Sequence, residues 1–277
     1  RLDVADKPHH HRIDRIFTGF IGLAQYPRTP RGIAITGGTA FISNYFSDTV
    51  TPVDLSTGTP GTPIAVGSGP EGVALSGGRV FVANSGGFGT DSTLSVIDPV
   101  SRAVSDTVPL GCKAPNEVVA DDDGEIWVVC TGRSDFTTGE VTSPGQVVVL
   151  DASSLEVVER FTFPGALLGG AALGQDAAFD PDSDALYVLQ STFGIGSPDT
   201  VYRFNTRRNS REAQLSLPNE DASGIGFGGG QLYIGRVNAL NPFSDDGFVT
   251  VHDAGGEEVA RFDAGIAPAA FAFADAR

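Results

Sequence analysis

The sequence has no methionine, two cysteines, four histidines and only two lysines, Lys7 and Lys113, among its 18 cations. Without even an initiator methionine, the chain is expected to begin at Arg1 after processing or trimming, and a removed export signal would account for that. No apolar run approaches the roughly 18 to 20 residues of a membrane-crossing helix, so none is expected. Set against 34 acidic residues, the 18 cations give a net charge of −16 and a pI of about 4.4. With no basic stripe to override that average, a phosphate backbone would be repelled, and nucleic acid is not an expected partner.

Histidine is too scarce for common catalytic constellations. A Ser-His-Asp arrangement needs a histidine close to the nucleophile. His9, His10 and His11 instead sit together, and His252 replaces an apolar strand residue. Three adjacent residues in an extended segment point alternately and do not converge on one metal, so a solvated turn is the expectation. No catalytic residue, resident metal or cofactor is expected. The acidic groups at 121–124, 180–184 and 245–247 invite a calcium reading. None has the spaced loop and distal glutamate of an EF-hand, and the first two fall where hairpin turns favour Asp and Gly. Glycine (36) and proline (17) are scattered without period, which excludes a collagen-like chain, and 40% hydrophobic residues suffice for a packed core.

What the sequence does contain is a repeat. Five segments align with one aromatic in the same place: Thr39–Asn44 with Phe41, Arg79–Asn84 with Phe81, Glu125–Cys130 with Trp127, Ala185–Gln190 with Tyr187, and Gln231–Arg236 with Tyr233. Each follows a short apolar strand and a turn rich in Gly or Asp, which makes a hairpin. Each precedes a third strand ending on an acid or its amide, at Asp54, Asp98, Asp151, Asn205 and Asp253. A fourth strand closes the unit, as at 104–110, 157–163 and 259–262. Four-stranded units at periods of about 40 to 50 residues indicate propeller blades. The expected fold is therefore an all-β propeller of four-stranded antiparallel blades, forming one domain over 1–277. Residues 268–273 match a first strand, 2–6 a third and 13–17 a fourth, so a closing blade shared by both termini makes six, and seven if residues upstream of Arg1 are missing. The recurrent aromatics are expected to pack between blades.

This pattern resembles the YVTN-type bacterial β-propellers. The stretch 114–132 and the ending 264–273 are similar to surface propellers of Bacteroidota associated with TonB-dependent uptake, for example of cobalamin. The resemblance implies an extracytoplasmic location, in the periplasm, on the outer surface or secreted, and a binding protein rather than a catalyst.

In such a fold the loops joining second to third strands, and fourth to the next first strand, open on one face around the channel. The first set carries aromatics beyond the strands: Tyr45 and Phe46, Phe88, Phe136, Phe193 and Phe243. They would form an apolar collar, or else pack within their own loops. Beneath them lie the second-strand ends Asn44, Asn84, Cys130, Gln190 and Arg236, and the first-strand starts Arg31, Glu71, Asn116, Gln175, Ser223 and Ala269. The polar members of this layer either face a ligand or cap loop backbone. The expected partner is a small amphipathic molecule or an envelope protein. Alternatives are a structural subunit of an envelope assembly, or a metal-dependent, lactonase-like hydrolase using Glu71 and Asn116.

The cysteines fall within one unit. If the hairpin pairs Ala120 with Glu125, Cys130 faces Pro115, so a bridge to Cys112 needs residues 111–114 to curl back. The alternative is a buried Cys130 and a free, partly exposed Cys112.

Overall fold

The computed structural model describes residues 29–87, 91–135, 138, 140–167, 175–191, 198–217, 221–238, 241 and 244–273. Among these, the only helical turn is the 3₁₀ segment Tyr45–Ser47. Five larger antiparallel sheets follow one another in chain order, and a two-stranded ribbon, Arg133–Ser134 with Val141–Ser143, lies in the loop between the second and third strands of sheet three. Sheet one contains Pro30–Thr36, Thr39–Asn44 and Thr49–Asp54, with two short pieces, Thr59–Pro60 and Ile64–Ala65, sharing its outer position. Sheet two is Pro70–Ser76, Arg79–Asn84, Thr93–Asp98 and Ala103–Pro109, and sheet three is Pro115–Ala120, Glu125–Cys130, Gln146–Asp151 and Val157–Thr162. Sheet four is Ala177–Asp180, Ala185–Gln190, Thr200–Asn205 and Ser210–Ser216, and sheet five is Ala222–Gly228, Gln231–Arg236, Phe248–His252 and Glu258–Asp263. The five second strands coincide with the aligned repeat.

Second and third strands are covered on both faces, which explains their nearly continuous apolar sequences, whereas fourth strands such as Glu258–Asp263 are exposed at the rim. Separate apolar clusters fill the spaces between sheets one and two, two and three, three and four, and four and five. First strands of successive sheets lie side by side, so the sheets radiate from a common axis in the manner of a β-propeller.

The recurrent aromatics face the following unit, as expected. Phe41, Phe81 and Trp127 are completely buried, and the Trp127 indole N–H also donates to Asp121 Oδ2 at 3.0 Å. Tyr187 stacks on Phe227 of sheet five at 5.5 Å. Tyr233 repeats this relation with Phe271 and Phe273, although 268–273 is not assigned as a strand. That segment lies against Gly224, Gly226 and Gly228, every second residue on one face of a strand. A Cβ on Gly226 would come within 2.5 Å of Phe271 Cβ, so the close approach requires glycine.

Residues 111–114 do curl back. Gly111 and Ala114 have φ of 69° and 52°, and Cys112 and Cys130 form a disulfide; the hairpin pairs Ala120 with Ile126 rather than Glu125, and a bulge between Pro115 and Glu117 restores Pro115 opposite Cys130. Cys112 is buried and bonded, in place of the free, partly exposed thiol of the alternative.

Two consequences are measurable. Gly226→Val, by displacing Phe271, should cost about 2 kcal/mol in denaturant unfolding. Replacing both cysteines with serine removes a cross-link between residues 18 apart in sequence and should cost about 3 kcal/mol in the same assay.

Candidate functional site

The channel mouth is formed by the starts of the first strands, where the chain enters each sheet through a bulge in sheets one, two, three and five. At the third position of these strands, Gly32 and Gly72 lie against the next sheet's backbone. A Cβ on Gly32 would fall 2.6 Å from Glu71 O, and one on Gly72 2.7 Å from Asn116 O. The corresponding residues of sheets three and four are Glu117 and Asp176. The first strands of these two sheets touch least of all successive pairs, because side chains occupy the space that glycine leaves to backbone elsewhere.

A polar wedge fills this gap. The Asn116 side chain donates to Asp176 Oδ2. Glu117 is half-buried as a residue, but its carboxyl group is enclosed by protein. Burial first, and then the charge of Asp176, push its pKa up to about 8. Burial raises Glu71 to about 7, against the opposing pull of Arg31. Among the described residues, no three His, Cys, Asp or Glu side chains are placed to hold a metal ion. Glu71 is directed to Arg31, and Asn116 to Asp176.

Arg31 links the mouth to the loop face. Its Nε is 3.4 Å from Glu71 Oε2, and its guanidinium lies over the Tyr45 ring, 5.0 Å from the centroid. Tyr45 meets Phe46 edge-on at 4.9 Å. Its hydroxyl pKa is raised by burial and by Glu71, with Arg31 and Arg133 acting in the opposite direction. The 3₁₀ turn ends at Asp48, whose φ is 52° and whose carboxylate accepts from Gly69 N–H at 2.8 Å. Tyr45, Phe46 and Asp48 face Ser68, Gly69, Gly86 and Gly87 across an open recess of about 210 Å³. Both expected loop sets thus contribute, joined by hydrogen bonds Ser85 N–H to Gly69 O and Gly86 N–H to Ser68 O, each 2.9 Å. Arg133 donates to Gly87 O at 3.4 Å from the neighbouring side. Phe46 is 61% exposed at the rim.

Other expected site residues have structural duties. Asn44 and Asn84 are buried and donate to third-strand hydroxyls: Asn44 to Thr51 at 3.0 Å, and Asn84 to Thr93 and Ser95 at 3.0 and 2.9 Å. Gln190 donates to Ala166 O and accepts from the Tyr202 hydroxyl. Gln175 accepts from Phe271 N–H through its side chain, and its own N–H donates to Ala269 O, which fastens sheet four to 268–273. Arg236 forms a buried pair with Asp221 at 2.7 Å and lines a different cavity, between sheets four and five. Phe88, Phe136, Phe193 and Phe243 lie outside the described residues, as do His9, His10 and His11. The acids at the hairpin turns serve those turns: Asp121 accepts from the backbone of Asp123 and Glu125, and Asp180 from that of Asp182.

Glu117, Asp176 and Arg133 were not among the expected site residues. The first two were visible in the sequence as departures from glycine at a repeated position. Arg133 carried no such signal, because its loop has no counterpart in the other units.

A buried carboxyl with a raised pKa binds its proton more tightly in the folded than in the unfolded chain. Stability from such a group is full below the unfolded value near 4.5 and falls as pH rises through the folded value. Unfolding free energy should therefore decline between about pH 4.5 and 8. Glu117→Gln should flatten that decline and be more stable than the parent by about 2 kcal/mol at pH 9, as read by denaturant titration across pH.

No family model and no curated protein matches this chain. Among solved structures it is similar to Kuenenia stuttgartiensis hydrazine synthase, with a TM-score of 0.65 and 19% identity over 87% of this chain and 67% of that one. It is also similar to a chain of a nidogen/laminin complex, with a TM-score of 0.56 and 16% identity over 85% and 80% of the two chains. At these identities the likeness carries the fold alone, and that fold is propeller-like.

Proposed function

We propose that this chain is a non-catalytic propeller of at least six blades that works outside the cytoplasm and docks a partner protein through its loop face. The exposed Phe46 beside the recess carries this reading. A 61% exposed phenylalanine next to a shallow hollow floored by glycine backbone is the anatomy of a surface that receives or inserts an anchoring side chain. A recess of about 210 Å³ is smaller than the cavities that enclose drug-sized ligands, which favours a partner's side chain.

The extracytoplasmic location is supported by the Cys112–Cys130 bond, since disulfides persist in oxidising compartments. A sixth blade is supported by Tyr233 on Phe271 and Phe273 and by Gln175 on Ala269 and Phe271, which treat 268–273 as the next first strand. The stretches 2–6 and 13–17, expected from the sequence as its third and fourth strands, lie outside the described residues. One structural neighbour comes from a complex of nidogen with laminin, which accords with an interaction role. A second reading, capture of a small amphipathic molecule, is favoured by Arg31, which is held by Glu71 and Tyr45 beside the recess.

Native mass spectrometry of the protein purified from its own source, as parent and as Phe46→Ala, tests this. The parent should retain a stoichiometric polypeptide that the variant loses by about ten-fold or more. A retained small-molecule mass lost in the variant would replace this reading with the second. Apo protein in both samples would overturn it.

A further inference from the structure

The cavity lined by Arg236 lies away from the loop-face recess and is built differently. It holds about 200 Å³ between sheets four and five. Leu215 and Leu217, at the end of the outer strand of sheet four, form one wall. Phe248, His252 and Arg261, from the third and fourth strands of sheet five, form the other. The turn at Gly256 bounds one end, and a Cβ there would be 3.1 Å from Leu215 Cδ1.

The polar side of the cavity is braced from behind. Arg236 is 3% exposed, with Nη1 on Asp221 Oδ1 at 2.7 Å and Nε 3.4 Å from Thr250 Oγ1. Thr250 Oγ1 is 3.0 Å from His252 Nε2, and His252 Nδ1 donates to Gly256 O at 3.1 Å. Because a carbonyl can only accept, Nδ1 carries the proton. This chain of contacts fixes the buried guanidinium while Nη2 has no hydrogen-bond partner among the described residues.

Arg261 sits over the Phe248 ring at 4.6 Å and holds Glu258 through Nε and Nη2, at 2.9 and 3.0 Å. Its Nη1 has no partner among the described residues. The one carboxylate in the lining, Glu258, is thus engaged through both oxygens, while each of two guanidiniums keeps a donor edge. An apolar wall opposite two such edges matches a carboxylate on a short hydrocarbon. The volume equals about seven waters, below the range for drug-sized ligands.

We propose that this cavity is a second binding site, which takes a small aliphatic carboxylate with its anionic end on Arg236 and Arg261 and its chain against Leu215 and Leu217. The site is independent of loop-face docking.

The test is a titration of the full chain with butanoate, followed through the His252 imidazole resonance and assigned by its loss in His252→Gln. Butanol and n-butylammonium serve as controls. Butanoate should produce a saturable shift of the His252 signal, while the two controls should not. Arg261→Gln, at an exposed position, should weaken binding about ten-fold, and Leu215→Trp, which fills the cavity, should abolish it. Phe46→Ala should leave it unchanged, which separates failure here from failure of the loop-face reading. Absence of a butanoate shift, an equal response to butanol, or undiminished binding in both Arg261→Gln and Leu215→Trp would overturn the proposal.

Discussion

The close approach of neighbouring first strands at the axis is the constraint on which the rest of this molecule depends. Sheets that radiate from a line crowd most at their inner edges, and at Gly32 and Gly72 the backbone of one sheet occupies the volume a Cβ would need. Farther out the sheets diverge, and the space is filled first by the second-strand aromatics and then by smaller aliphatic side chains. The fourth strands are left at the rim, where exposure is tolerated. A graded demand for volume, from none at the axis to a full ring one strand away, thus explains both the glycines and the aromatics of the repeat.

Where that rule is broken, the symmetry of the frame is broken with it. Glu117 and Asp176 hold the first strands of sheets three and four apart and place two acids and Asn116 in the gap. An enclosed carboxyl is costly when ionised, and its pKa rises until protonation relieves the cost. Such residues are poor choices for packing alone, so the asymmetry of the channel has its source here. The loop face on the same side is firmly supported. The Cys112–Cys130 bond ties an incoming loop to the end of a second strand, and paired backbone hydrogen bonds join the two loop sets beside the recess.

Polar residues at equivalent positions of a repeat need not share a role. Asn44 and Asn84 bind third-strand hydroxyls within their own sheets. At the same place Cys130 forms the disulfide, Gln190 holds Ala166 O, and Arg236 pairs with Asp221 beside a cavity between sheets. Each side chain at a buried second-strand end reaches whatever partner its length allows, and Asn44 and Asn84 engage their amide N–H groups while their Oδ1 atoms have no partner among the described residues.

The strand pattern, the inter-sheet role of Phe41, Phe81, Trp127, Tyr187 and Tyr233, and the facing of two loop sets around one mouth were legible in the sequence, because each follows from local periodicity repeated five times. Two cysteines in one unit left the bridge open, because its geometry depends on positive φ at Gly111 and Ala114, which no spacing reveals. The positions of Arg31 over Tyr45, of Glu117 opposite Asp176, and of Arg236 between Leu215 and Phe248 were decided only by the tertiary structure. Each joins residues on different loops or sheets, and the distance between such residues is set by the packing angle of whole sheets about the axis, a quantity that the sequence of any one unit does not encode.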